Sequence, residues 1–189
     1  MVKEQTLVLL KPDTVSRGLI GTIISRFEHV GLKIIAMKMI WADEKLAKKH
    51  YNVSETWAMQ VYSKTKAGYE KEGKHFPYKD HWDIGNTIQS WNINFLREGP
   101  VVAIVLQGPH SVELVRKMVG STEPRSAAPG TIRGDFASVE SYALADVKKR
   151  VLRNLIHASD TYDNAKREIA LWFSPHDLHS YSKEIDKHF

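Results

Sequence analysis

The order of apolar segments predicts a mixed α/β chain of the α+β kind: a βαββαβ core whose antiparallel sheet is covered by helices on one face. Three observations predict it. Apolar runs of strand length, closed by turn residues, stand at residues 6–10, 33–40 and 100–106, and a fourth ends at His157. Apolar residues three and four apart follow the first and third runs, so a helix follows each. Stripped of the stretches in between, the order is strand–helix–strand taken twice, which is the ferredoxin-like arrangement.

In chain order, Thr-Leu-Val-Leu-Leu at 6–10 is cut off by Lys11, Pro12 and Asp13, a buried strand running into a turn. Gly18 precedes Leu19, Ile20, Ile23, Ile24, Phe27 and Val30, the spacing of an amphipathic helix, and Gly31 is placed to end it. Residues 33–40 alternate as a second strand, and 43–51 form a short charged helix. The run Pro-Val-Val-Ala-Ile-Val-Leu at 100–106 is the most plainly buried strand. A helix over 111–119 and a long loop over 120–135 follow. After the strand that ends at His157 come Ser159 and Asp160, both good helix-capping types. Tyr162, Ala165, Ile169 and Trp172 then mark a last helix.

The whole chain, 1–189, reads as one domain with two insertions. The first, at about 52–85, carries Trp57, Tyr62, Tyr69, Phe76, Tyr78 and Trp82 with no clean period. Six aromatics are too many for an inert loop, so a small helical cap on the domain or on a neighbouring subunit is expected. The second, at about 137–153, has a short helical pattern in Tyr142, Leu144, Ala145, Val147, Val151 and Leu152.

Bulk composition excludes several classes. Hydrophobic residues at 42% and charged residues at 26% are ordinary for a globular chain of this length. The absence of cysteine excludes disulfides and thiolate metal sites. No run approaches a membrane span and residues 1–6 are not a signal peptide, so a cytoplasmic protein without a membrane partner is expected. Without secretion the sequon Asn52-Val53-Ser54 carries no weight. A net charge of +5 favours polyanions: nucleotides, nucleic acid or acidic surfaces.

Two motifs fail on inspection. Residues 68–75 nearly match the phosphate loop G-x-x-x-x-G-K-[ST], but His75 stands where the hydroxyl should be and no apolar strand precedes it, so a solvated loop is expected. His176, His179 and His188 gather near the C-terminus with Asp177 but lack a further ligand, and they read as a solvated tail. The run Pro-Gly-Thr-Ile-Arg-Gly-Asp-Phe at 129–136 is different: its glycines and proline fix a tight irregular loop from which Arg133 projects. With Arg116 and Thr122 it offers guanidinium forks and a hydroxyl to a diphosphate. His157, held at a strand-to-helix corner where backbone N–H groups favour an anion, completes the set.

Lys11-Pro12-Asp13, residues 129–136 and residues 154–160 resemble the signature segments of the nucleoside diphosphate kinases, with similarity over 5–51, 99–136 and 154–173. The resemblance implies transfer of the γ-phosphate of a nucleoside triphosphate to a nucleoside diphosphate by a ping-pong route through a phosphohistidine. It implies His157 as nucleophile, Glu168 as the acid that orients its far ring nitrogen, and Ser159 beside that acid. Lys11 and Tyr51 match residues near the transferred group, Arg116, Thr122 and Arg133 match phosphate binders, and Asn154 matches a sugar contact. It further implies ATP and other nucleoside tri- and diphosphates as partners, Mg2+ bound mainly through their phosphates without a protein ligand set, and a homo-oligomer, tetramer or hexamer. The chain departs from the family in being longer between Tyr51 and Gly99, and in lacking a Pro-Phe-Phe-type base-stacking motif there.

Two other readings compete. A ferredoxin-like module holding RNA or single-stranded DNA would use basic charge and aromatics, but the pattern K/R-G-F/Y-G/A-F-V-x-F/Y is on no strand, so nucleic acid is not the expected partner. A catalytically silent family member would have lost His157, Lys11 or Glu168, and all three are present.

Overall fold

The computed structural model describes residues 4–71, 73, 75–184 and 187. Strands β1 (Glu4–Leu10), β2 (Lys33–Ile40), β3 (Val101–Gly108) and β4 (Ile156–Ala158) form one antiparallel sheet in the order β2-β3-β1-β4. Between them run α1 (Pro12–Ser16), α2 (Ile20–His29), α3 (Glu44–His50), α4 (Glu55–Lys71), α5 (His81–Leu96), α6 (Ser111–Val119), α7 (Ile132–Phe136), α8 (Tyr142–Val147) and α9 (Tyr162–Trp172). The expected βαββαβ core is there: β1, α2, β2, β3, α6 and β4.

The expectation of helices on one face is corrected. Ile23 and Phe27 of α2, with Val115 and Val119 of α6, pack on Val8, Leu10, Ile104 and Leu106. On the other face, Ala47 of α3, Leu96 of α5, and Ile169 and Trp172 of α9 pack on Leu7, Leu9, Ala103 and Val105. Leu7 to Leu10 are all fully buried because successive side chains of a strand point to opposite faces and both faces are covered. An unbroken apolar run, rather than an alternating one, is the sequence form of such a strand.

Two local expectations also change. Lys11-Pro12-Asp13 opens a helix rather than a plain turn, since proline at the first helical position lacks only an N–H that would have no partner. The 120–135 loop contains α7, whose cap Thr131 accepts the Gly134 N–H at 3.1 Å. The stretch 52–85 is helical over α4 and the start of α5. Its period is faint because among α4's described side chains only Ala58 is fully buried and most are exposed or half-buried. Its aromatics shield one another: the Phe76 ring lies 5.2, 5.7 and 5.4 Å from the rings of Tyr62, Tyr69 and Tyr78.

The near-match at 68–75 is not a loop at its start, for Gly68 to Lys71 end α4; Glu72 and Lys74 lie outside the described residues. His176 and His179 are exposed, as a solvated tail requires, and His188 lies outside the described residues. Among the described residues no helix is long and apolar enough to cross a membrane.

Candidate active site

β4 is short and pairs with the edge of β1, setting His157 opposite Leu9. His157 is thus the middle residue of a strand rather than a corner residue. The helix after it is capped by Thr161, which accepts the Asn164 N–H at 3.2 Å, not by Ser159 or Asp160. Ser159 instead points back to the next helix, where its hydroxyl donates to Glu168 Oε2 at 2.6 Å.

The same oxygen of Glu168 lies 2.8 Å from His157 Nε2. A carboxylate can only accept, so this contact places the ring proton on Nε2 and leaves the lone pair on Nδ1. Burial pushes the Glu168 carboxyl up, but the hydrogen bond and charge of His157, the neighbouring His50 and the Ser159 hydroxyl outweigh it and hold the pKa at about 2. Arg167 Nη2 approaches the other oxygen at 3.3 Å.

A second polar chain starts at the buried Lys11. Its ammonium donates to Asn154 Oδ1 at 2.7 Å, and Asn154 Nδ2 donates to the Thr122 carbonyl at 2.9 Å. Burial, then the Arg133 charge, pushes the Lys11 pKa down to about 7, against the pull of Asp13. The Arg133 guanidinium, also buried, is itself lowered to about 10 by burial and by Arg116. Among the described residues Lys11, Arg116 and Arg133 form no ion pair, Asp13 is the carboxylate that offsets the charges of Lys11 and Arg133, and a phosphate chain would supply the missing anion. Burial raises the Tyr51 phenol, so Tyr51 is a neutral hydroxyl at working pH.

Arg133 differs from the sequence expectation of a free fork. Nε donates to the Asn154 carbonyl at 3.2 Å, Nη1 to those of Gly120 and Ser121 at 3.0 and 3.2 Å, and Nη2 to that of Ile156 at 2.7 Å. A guanidinium has five N–H donors, so one is left for a ligand. The loop around it is tight: Gly120 has φ +84°, and a Cβ on Gly134 would lie 2.1 Å from the Ala128 carbonyl oxygen.

Lys11, Tyr51, Arg116, Thr122, Arg133, Asn154, His157 and Glu168 line one cavity of about 920 Å³, and Ser159 stands behind it, bonded to Glu168. The outer wall comes from the two insertions: Trp57, Val61 and Tyr69 of α4, and Tyr142 and Asp146 of α8. Lys64 of α4 places its ammonium 5.4 Å from the Tyr142 ring, so the insertions meet across the cavity.

Sequence reasoning missed His50. Its buried ring stands edge-on to His157, centroids 4.4 Å apart, and its Nδ1 accepts the Trp172 indole N–H at 3.2 Å. Indole is a donor only, so His50 is held neutral with its proton on Nε2. Burial, with the charge of His157 next, also keeps its pKa well below the usual histidine range. No spacing links residue 50 to residue 172, and only the fold brings them together. His50, His157 and Glu168 are also the one trio of metal-ligating side chains gathered among the described residues, with ligand atoms within 4.8 Å of one another.

Residues 4–67 and 70–178 match the family model for nucleoside diphosphate kinase. A nucleoside diphosphate kinase of Pyrobaculum aerophilum is 45% identical over 177 residues, 92% of this chain and 96% of its own. A crystal structure of an NDP kinase from the same organism superposes with a TM-score of 0.90 at 42% identity, covering 95% of this chain and all of that one. A transition state mimic of the Borrelia burgdorferi enzyme with vanadate and ADP gives 0.82 at 38% identity, covering 100% and 97%. A Halobacterium salinarum enzyme in complex with CDP gives 0.70 at 32%, covering 99% and 98%.

Fold and site together define a phosphotransferase acting on nucleotides. The chain belongs to the nucleoside diphosphate kinase family, and its activity is transfer of a phosphoryl group from a nucleoside triphosphate to a nucleoside diphosphate. The likeness is wider than the sequence motifs suggested, for the family model runs through both inserted stretches apart from residues 68–69.

Proposed function

We propose that His157 Nδ1 is the nucleophile of a two-step exchange. The observation that carries this is the 2.8 Å contact between His157 Nε2 and Glu168, which fixes the tautomer and leaves Nδ1 its lone pair in a cavity lined by cations. In the first step Nδ1 forms a bond to the γ-phosphorus while the bond from phosphorus to the β-phosphate oxygen breaks, and the diphosphate leaves with that electron pair. In the second, a terminal oxygen of another diphosphate attacks phosphorus and the pair returns to Nδ1. The Nε2 proton stays in place throughout, and Glu168 offsets the positive charge on the ring.

Lys11, Arg116 and the remaining N–H of Arg133 hold phosphate oxygens, and the Tyr51 and Thr122 hydroxyls and the Asn154 amide orient the nucleotide. One cavity serves donor and acceptor in turn, which makes the kinetics ping-pong. Of the carboxylates lining it, Glu168 is bonded to His157, and Asp160, bonded to Asn164 through one oxygen, lies in the same wall. With few carboxylates in the wall, Mg2+ would be held mainly by phosphate oxygens and water, and Asp160 would be the protein oxygen available to it. Such an ion supplies charge neutralisation on the phosphates.

A homo-oligomer, tetramer or hexamer, and a cytoplasmic location complete the reading. Support for assembly comes from β2, an edge strand on which Met37 and Met39 are 55 and 54% exposed, with Trp41 just after it 67% exposed. Met37 and Met39 stand opposite Ile104 and Val102, so they extend a core face outward past its helices.

The test of the mechanism is brief incubation with γ-labelled ATP and magnesium. It should leave an acid-labile, alkali-stable adduct on His157 that any nucleoside diphosphate discharges. A His157→Ala variant that still turns over would sink the mechanism.

A further inference from the structure

The nucleophile's strand is preceded by a strained turn. Leu155 has φ +69°, a conformation that side chains with a Cβ rarely adopt. The Ile156 N–H donates to the Asn154 carbonyl at 2.8 Å across it, closing a three-residue γ-turn of the positive-φ kind, the rare and strained form. Leucine has no intrinsic reason to sit there, so the surroundings must impose it.

They do so from two sides. On one side, Arg133 binds the carbonyls of Asn154 and Ile156, the residues flanking Leu155. On the other, the segment after β1 takes both polar groups of Leu155 itself. Asp13 Oδ2 accepts the Leu155 N–H at 3.0 Å, while the Leu155 carbonyl accepts the Lys11 N–H at 2.8 Å and the Thr14 hydroxyl at 2.6 Å. Asp13 and Thr14 are buried, and the Asp13 Oδ1 also accepts the Thr14 N–H, which stiffens the pair.

We propose that Asp13 and Thr14 are positioning residues for phosphoryl transfer, a clamp that holds the γ-turn at Leu155 and so locks Lys11 and His157 into one rigid frame. The turn sets the direction in which Asn154 leaves the chain, and Asn154 carries the Lys11 ammonium. Two residues further on, it sets where His157 enters the cavity. Cationic clamp and nucleophile are thereby placed by a single set of hydrogen bonds, at the precision an in-line transfer needs.

This inference rests on the phosphohistidine reading, and the experiment separates the two. Rapid-quench measurement of histidine phosphorylation by ATP would be combined with ADP affinity and melting temperature for Thr14→Val, Asp13→Asn and Asp13→Ala. Thr14→Val removes one clamp bond without a charge change and should slow phosphorylation about tenfold, with ADP affinity changed far less. Asp13→Asn keeps one oxygen and should fall between Thr14→Val and Asp13→Ala, the last losing about a hundredfold or failing to fold. If Thr14→Val and Asp13→Asn melt earlier yet phosphorylate at the full rate, the clamp serves the fold alone and the proposal is wrong. Equal losses of rate and ADP affinity would overturn it too, by placing the clamp in nucleotide binding. A wild-type protein that never becomes phosphorylated overturns the underlying reading instead.

Discussion

Glu168 has to remain a carboxylate inside the protein wall, and it does so because His157 and Ser159 both donate to one of its oxygens. Glu168→Gln should bind nucleotides nearly as before and lose turnover by about 10 to 10³, the range for groups that orient a catalytic side chain. Retained turnover with lost binding would refute the assignment. Its pKa of about 2 lies below the ordinary 4.5, so its stabilisation is full above about 4.5 and is lost as pH falls towards 2. Acid unfolding of Glu168→Gln should lack that part of the pH dependence. Lys11 behaves in the opposite sense. Its pKa of about 7 lies below 10.5, so the unfolded chain binds more protons between those values, and the Lys11 contribution to stability rises with pH across the window. Phosphate oxygens restore the charge, so nucleotide binding above pH 7 should take up a proton. Calorimetry in buffers of different ionisation heat would measure it, and Lys11→Met should bind more weakly and take up none.

At the scale of elements, the sequence was most legible where chemistry demands particular residue types in short order. Lys11, Arg133, Asn154 and His157 stand in such runs, and the structure brings them to one cavity. The clamp residue Asp13 stood in plain view, but its partner Leu155 lies 142 positions away and bonds through its backbone, which no side-chain pattern records. The continuous apolar runs of β1 and β3 already signalled two covered faces, and only the count of core helices argued for one. Helix α4 was expected only as part of a helical cap, and its bounds were not legible for a different reason. It buries so little of itself that its period is faint, and Tyr62 and Tyr69 gain shelter from Phe76, beyond the helix, while Trp57 and Tyr69 face the cavity it walls. Replacing residues 53–79 by a short linker to α5 should therefore raise the KM for nucleotides by about tenfold or more, about 1.4 kcal/mol per factor of ten, while histidine phosphorylation survives. Trp57→Ala should do the same on a smaller scale. Unchanged nucleotide affinity in both would show that α4 is not part of the binding wall.

For the whole molecule, the outer edge of β2 is the outstanding feature. Its first half is covered by the segment after α9, whose His179 N–H and Tyr181 hydroxyl donate to the Ile35 and Ile34 carbonyls. The half beyond it carries the exposed Met37 and Met39, with the exposed Trp41 following, and is an association site unless something covers it. Met37→Glu combined with Met39→Glu should lower the mass found by light scattering and leave the phosphohistidine chemistry of each chain intact, since neither residue lines the cavity. A variant of unchanged mass would put the contact elsewhere.

The sheet order also governs when the enzyme can begin to exist. β1 lies between β3 and β4, so one side of the first strand waits for residues 101–108 and the other for residues 156–158. Three of the polar links in the site join an early residue to a late one: Lys11 to Asn154, Asp13 to Leu155, His50 to Trp172. On a ribosome the growing chain therefore holds a half-built sheet for most of its synthesis, and it acquires the proposed nucleophile only near the end. On the proposed mechanism a shortened translation product that stops before His157 would consume no nucleotide, so the long-range pairing that slows folding would also tie activity to synthesis of the chain through Glu168.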